Sequence, residues 1–290
     1  MTGVLPPDLQ LNIASLYTVC AVSKAETGGG EGIEWVVRRE TETDDGEPCL
    51  YTHKIIHMEK KVPGFIRMLL PSGAFTIHEK TTNCFPRCRT EYSNPGYMKD
   101  NYSTVVETIS IADDRGEIDN VFDLGPEELS RREVVNIDII NDRIPNSVNK
   151  QTLPTRGLKT RNLYNYYRVR ISDSGDFMES QFNTDPSKVT FQKVKRGPFG
   201  PHWQDTCTPV LCCYKLVKTE FKWFGLQEKI QAQIKKSMRR RYLRFHRLLY
   251  SYLDQCHGMT ITDIRQLETE TQQRLDEMRE RNGMTSQQAH

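Results

Sequence analysis

The stretch YTHKIIHM, residues 51–58, puts a lysine where a strand would normally carry an apolar side chain. Read as a strand, it turns Thr52, Lys54, Ile56 and Met58 to one face, because side chains alternate along an extended backbone. A lysine that shares a face with apolar residues needs an anion, since burying an unpaired charge costs many kcal/mol. Two sources offer one. Glu79 lies in the segment HEKTTN (78–83), and a ligand is the other. Between the two segments, VPGFIRMLL (62–70) reads as an apolar turn and helix.

Working outward, residues 1–60 read mostly as strands and turns. LYTVCAV (16–22) is strand-like, TGGGEG (27–32) marks a turn, and IEWVVRR (33–39) is the next strand. TGGGEG lacks the spaced glycines and the lysine-serine/threonine ending of a phosphate loop. Further strands are expected at TVVETISI (104–111) and EVVNIDII (133–140), with a short helix at GPEELSRR (125–132) between them. Residues 144–182 are irregular and basic, and NLYNYYRVRI (162–171) within them reads as a short edge strand of a surface insertion. Its tyrosine-arginine mix is also the composition that stacks on nucleic acid. RGPFGPHW (196–203) is a rigid, turn-rich loop leading to the strand VLCCYKLVKTEFKW (210–223).

The last third is helical. Leu226, Ile230, Ile234, Met238, Tyr242, Phe245, Leu249 and Tyr252 follow one another at spacings of three and four, one amphipathic helix of about seven turns. A second helix starts at Thr260, an N-cap with Asp263 three residues on. Its stripe is Ile264, Leu267, Thr271, Leu275 and Met278, with Glu268 on it either as a solvated edge residue or as an inward one. Many strands followed by long helices make an α+β protein, a helix laid across a curved antiparallel sheet.

Composition limits the functions. The 290 residues are 37% hydrophobic, and no apolar run approaches the roughly 18 residues of a spanning helix. Asp8 and the lack of a basic segment before Leu11 argue against a signal peptide. Forty lysines and arginines against 38 carboxylates predict no nucleic-acid partner. The eight cysteines, at 20, 49, 84, 88, 207, 212, 213 and 256, read as reduced thiols of a cytoplasmic protein. Cys84 and Cys88 lack the second pair that a zinc site requires, so no metal is expected. Cys88 with His78 or His57 is the one nucleophile-base pairing on offer. No GxSxG, HExxH or paired-carboxylate motif accompanies it, so no catalytic residue is assigned and no enzyme is expected. Trp223 and Phe224 sit where FKWFGLQ turns at Gly225, as core caps or as a membrane-touching tip that Arg239–Arg241 would assist.

TGGGEG, YTHKI, FIRML, IHEK, CRT, YMK, NIDII, RGPFGPHW, CYKLV, FKW with GLQ, FHR, and DIR with LDEMR run in order along the chain. On these motifs the sequence resembles the phosphatidylinositol transfer proteins, nearest to the single-domain class I members. The resemblance spans about residues 5 to 278, except 144–182. It implies a helix-grip, START-like fold, a curved antiparallel sheet and long C-terminal helices enclosing a lipid cavity. It implies one lipid-transfer domain over residues 1–290, with an insertion at about 144–182 and a short flexible tail at about 281–290. The function implied is an intracellular carrier, a monomer, that binds one phospholipid and exchanges phosphatidylinositol and phosphatidylcholine between membranes. The alternative is a protein that presents phosphatidylinositol to kinases with little net transfer. Enclosure has a physical reason: some 30 methylenes at ~0.8 kcal/mol each would leave roughly 25 kcal/mol unfavourable if the acyl chains stayed wet.

By matching motifs, Thr52, Lys54, Glu79, Asn83 and Glu268 would bind the inositol ring, whose hydroxyls need both donors and acceptors. Thr90, Thr108 and Lys215 would lie near the lipid phosphate, with Cys88 beside the headgroup. Trp223 and Phe224 stand where the family engages membranes transiently, and residues 62–70 stand at its lipid gate. No cofactor is implied beyond the bound phospholipid. The chain departs from the family at Ser15, where a glutamine near the phosphate is usual. Its first strand reads as shortened. Phe191 replaces a regulatory serine, so phosphorylation there is not expected.

Overall fold

The computed structural model describes residues 7–27, 32–58, 67–68, 70–112, 114–142, 163–171, 190–195, 197–200, 202–223, 225 and 227–281. The expected tail beyond Arg281, most of the expected gate at 62–70, Phe224 and most of the expected insertion lie outside them. The chain divides into two compact units: residues 1–107 with 258–290, and residues 108–257. The class is α+β, as expected. No helix among the described residues is long and apolar enough to cross a membrane.

The first unit opens with a correction. Residues expected as a strand, 16–22, belong to helix α1 (Pro7–Ala25). The apolar run LYTVCAV is one part of a longer helical repeat in which Ile13, Leu16, Cys20 and Ser23 are all buried. A helix covered on most sides loses its polar face, and its apolar run then reads like a strand. After α1 come β1 (Gly32–Glu42), β2 (Pro48–His57), β3 (Thr76–Cys84) and β4 (Arg87–Ser93), each antiparallel to the next. Gly32 starts β1 at φ +149°, and an added Cβ there would meet the Thr27 side chain at 2.7 Å. That close approach lets Thr27 Oγ1 accept the Ile33 amide at 3.1 Å, which explains the glycine ending TGGGEG.

The C-terminal helix, α6 (Ile261–Arg281), also belongs to this unit. It begins with the expected reciprocal cap: the Thr260 amide donates to Asp263 at 2.7 Å, and the Asp263 amide donates to Thr260 Oγ1 at 3.2 Å. Cys20 of α1, Trp35 of β1 and Leu275 of α6 form one buried cluster. Gln272 donates to the Trp35 carbonyl at 3.3 Å, and Arg279 pairs with Glu34 at 2.9 Å. These contacts fix α6 along β1. The first unit thus has a long helix gripping a sheet.

A second correction concerns the cysteines. Cys49 and Cys84 form a disulfide with Cα atoms 4.3 Å apart. They stand one residue beyond the Leu50↔Asn83 pair of the β2–β3 ladder, so the register brings together two thiols that are 35 residues apart in sequence. The other six cysteines are not disulfide-bonded.

The second unit takes over the end of β5 (Tyr102–Ala112) and continues with α2 (Pro126–Arg131), β6 (Glu133–Asp138) and β7 (Leu163–Ile171). α3 (Trp203–Thr206), β8 (Leu211–Phe221), α4 (Gln227–Ser251) and α5 (Leu253–Cys256) follow. Its strand order is β5-β8-β7-β6. β7 is antiparallel to β8 and parallel to β6, so it is an interior strand rather than the expected edge strand. The parallel pairing explains the long segment before it, because parallel neighbours need a crossover of a dozen residues or more. Two motifs supply structural contacts. Trp203 of RGPFGPHW is buried with Ile140 and Val210, and Arg247 of FHR donates to the Ile139 carbonyl at 2.6 Å.

Candidate functional site

The β1–β4 registers place most of the expected headgroup residues on one face of one sheet. Leu50, Asn83 and Cys88 form a row, Thr52, Thr81 and Thr90 the next, and Lys54, Glu79 and Tyr92 a third. Arg38 stands opposite Thr52, and Trp35 opposite Lys54. The inward lysine has its anion: Lys54 Nζ lies 3.3 Å from Glu79 Oε1, with side-chain exposures of 9% and 16%. The ammonium also stands 4.9 Å from the centroid of the Trp35 ring, a cation–π contact. Thr81 and Thr90 hydroxyls are 3.0 Å apart, and the Cys88 thiol is 4.0 Å from Thr90 Oγ1.

Glu268 is inward rather than solvated, at 2% exposure on α6. Its Oε2 accepts from Arg38 at 3.2 Å and from Arg265 at 3.0 Å. Arg38 also donates to Thr269 at 2.9 Å, and Arg265 reaches Glu40 at 3.3 Å. Burial pushes the Cys20 thiol up to about 11; a hydrogen bond from Thr271 opposes this, Glu268 adds to it, and Lys54 opposes it. Glu268 and Lys54 therefore act on the same buried atom. The face carries three cations (Lys54, Arg38, Arg265) and three carboxylates (Glu79, Glu268, Glu40). Such a balanced set, rich in hydroxyls and an amide, suits an uncharged polyol better than a dianion.

Reading the sequence missed Arg38, Arg265 and Trp35. Arg265 carried a signal, three residues before Glu268 on the same helix. Arg38 becomes visible only through the β1–β2 register.

On the opposite face of the same sheet, His53 Nε2 and His78 Nδ1 lie 3.0 Å apart. Burial lowers the pKa of both below the ordinary histidine value, and for His53 the neighbouring His78 adds to the shift. Because Cys88 is in the Asn83 row and His78 projects the other way, that thiol-imidazole pair is not brought together. Neither is Cys88 with His57, which alternates with Lys54 and so faces away from it. Among the described residues no group of three or more His, Cys, Asp or Glu side chains is arranged to hold a metal ion.

Two further residues meet in the second unit. Lys215 Nζ of β8 donates to Thr108 Oγ1 of β5 at 3.2 Å and stands 5.2 Å from the centroid of the Tyr242 ring on α4. At the β8–α4 connection, the half-buried Trp223 ring is 6.1 Å from that of Phe221, and Gly225 takes φ +76°. Of the arginine run, Arg239 is committed to Asp142 at 2.8 Å. Phe191 is buried edge-to-face on Tyr250.

Residues 8–273 match the family described as Phosphatidylinositol transfer protein. The chain belongs to that family. It is 38% identical to the human phosphatidylinositol transfer protein beta isoform over 286 residues, covering 96% of this chain and 93% of that protein. It is 34% identical to phosphatidylinositol transfer protein 2 of Dictyostelium discoideum over 282 residues, covering 96% and 95%. A match at 32% to the mouse membrane-associated phosphatidylinositol transfer protein 2 covers 91% of this chain but 18% of that protein. Family members thus span both the length of this chain and a much longer architecture.

Proposed function

We propose that the protein is a carrier that encloses one phospholipid and exchanges phosphatidylinositol, and with it phosphatidylcholine, between membranes. The observation that carries this reading is the charge-balanced polar face around Lys54, Glu79 and Glu268. A face of hydroxyls, an amide and paired charges supplies both donors and acceptors, the two kinds of group that the hydroxyls of an inositol ring need. In this reading Thr52, Lys54, Glu79, Asn83 and Glu268 bind the ring. Thr90, Thr108 and Lys215 serve the phosphate, and Cys88 stands beside the headgroup.

The remaining parts belong to the same proposal. The whole chain works as one monomeric transfer domain without a cofactor and without chemistry on the lipid. Residues 62–70 gate the exchange. Trp223 and Phe224 dock on the bilayer; a fully wet ring gains at most about 4–6 kcal/mol at ~25 cal/mol per Å², and Trp223, half-buried beforehand, about half of that. The protein works in the cytoplasm and meets membranes transiently.

Vesicle-to-vesicle transfer of labelled phosphatidylinositol tests the carrier reading. Catalytic amounts of the protein are expected to equilibrate the label between donor and acceptor vesicles. A protein that holds phosphatidylinositol yet moves none would be a presenter to kinases instead.

A further inference from the structure

The second unit contains a buried side chain whose polar atoms have no hydrogen-bond partner among the described residues. Along α4, Met238, Tyr242, His246 and Leu249 follow at helical spacing and are all buried. His246 is 3% exposed, and neither of its ring nitrogens has a hydrogen-bond partner among the described residues. Folded proteins rarely leave two such atoms dry and unpaired, so a ligand or a water is expected there. One turn earlier, the Tyr242 ring lies beside the Lys215 ammonium, and Lys215 in turn holds Thr108. His246 therefore points to the side of α4 where Lys215 stands, and the lysine charge acts on it. Among the described residues Lys215 has no carboxylate within ion-pair distance.

We infer that His246 donates a hydrogen bond to a phosphodiester oxygen of the bound lipid, completing a subsite with Lys215 and Thr108. The inference rests on the phospholipid-carrier reading and extends it to a residue of the FHR motif. Burial, and then the charge of Lys215, hold the His246 pKa well below the ordinary histidine value. The imidazole is thus neutral and offers one N–H. A neutral donor beside a lysine suits a singly charged phosphodiester. Its role is distinct from that of Lys54, because the phosphodiester is common to inositol and choline lipids whereas the ring is not. His246 sets how tightly any phospholipid is held, and the Lys54 face sets which one.

The test uses full-length protein loaded separately with phosphatidylinositol and phosphatidylcholine. In His246→Phe, affinity is expected to fall about ten- to hundredfold for both lipids alike, the scale of a lost hydrogen bond to an anion. The 31P resonance of both bound lipids should move, and His246→Gln, which keeps an N–H donor, should recover much of the loss. Selective loss of inositol-lipid binding would overturn the inference, as would wild-type affinity with unmoved 31P signals. If His246→Phe does not fold, the wild type decides. Its His246 ring 15N resonances should differ between protein loaded with phospholipid and protein loaded with diacylglycerol, and identical resonances overturn the inference. A wild type that takes up neither phospholipid defeats the carrier reading itself and this inference with it.

Discussion

Replacing Lys54 separates recognition from folding, provided the partner charge is also removed. In Lys54→Met alone, Glu79 is left with 16% side-chain exposure and no cation on its strand neighbour. Removing one partner of a buried pair costs 3–5 kcal/mol, and the residual exposure of Glu79 puts the expected loss at the low end, about 3 kcal/mol. Losing the Trp35 contact adds up to about 1 kcal/mol. The double variant Lys54→Met, Glu79→Gln removes both charges and should return to within roughly 1–2 kcal/mol of wild type in urea unfolding. Transfer should behave differently. A charge-assisted hydrogen bond to an inositol hydroxyl is worth about 1.5–3 kcal/mol, so inositol-lipid transfer should fall about ten- to hundredfold in both variants. Choline-lipid transfer should fall far less in the double variant, since that headgroup has no ring hydroxyls to lose. Equal loss for the two lipids in the stable double variant would refute the assignment of Lys54 to the ring.

Three other outcomes are expected. Trp223→Ala with Phe224→Ala should weaken cosedimentation with anionic vesicles while bound lipid stays in place; unchanged cosedimentation would remove the docking claim. The Cys49–Cys84 bridge closes a loop of 35 residues, worth roughly 4 kcal/mol in the chain-entropy estimate. Cys49→Ser with Cys84→Ser should lose that much against oxidised wild type, and an intact mass equal to the fully reduced chain would contradict the bridge. Finally, His53, His78 and His246 all have folded-state pKa values below the ordinary 6.5. The unfolded chain then binds more protons than the native one below that pH. The stabilisation is complete above about 6.5 and is lost progressively as pH falls, by at most about 1.4 kcal/mol per pH unit for each proton. The thermal midpoint should drop between pH 7.5 and 5.5, and His78→Gln should flatten the drop; a midpoint that rises on acidification has the wrong sign.

The sequence made the periodic parts legible and hid the parts that depend on register. α4, α6 and the Thr260 cap were readable because three-and-four spacing and a reciprocal cap are local properties. α1 was misread over residues 16–22 because burial on most sides erased its polar face. β7 was expected at an edge, since nothing local announces that β6 pairs with it in parallel. Lys54 demanded an anion from alternation alone, with Glu79 and a ligand as the two sources on offer, and the β2–β3 register shows that Glu79 is within reach. Arg38 and the Cys49–Cys84 bridge were hidden for one shared reason. Each becomes visible only once β1, β2 and β3 are aligned residue against residue. Glu268 illustrates the middle case: its stripe position was legible, but whether it faced solvent depended on β1 lying beneath α6.

The most direct measurement is mass spectrometry of the lipid that copurifies with the intact chain under native conditions. One phosphatidylinositol or phosphatidylcholine per protein molecule is the result expected. A chain recovered from lipid-replete cells without phospholipid, and unable to take one from vesicles, would contradict the account.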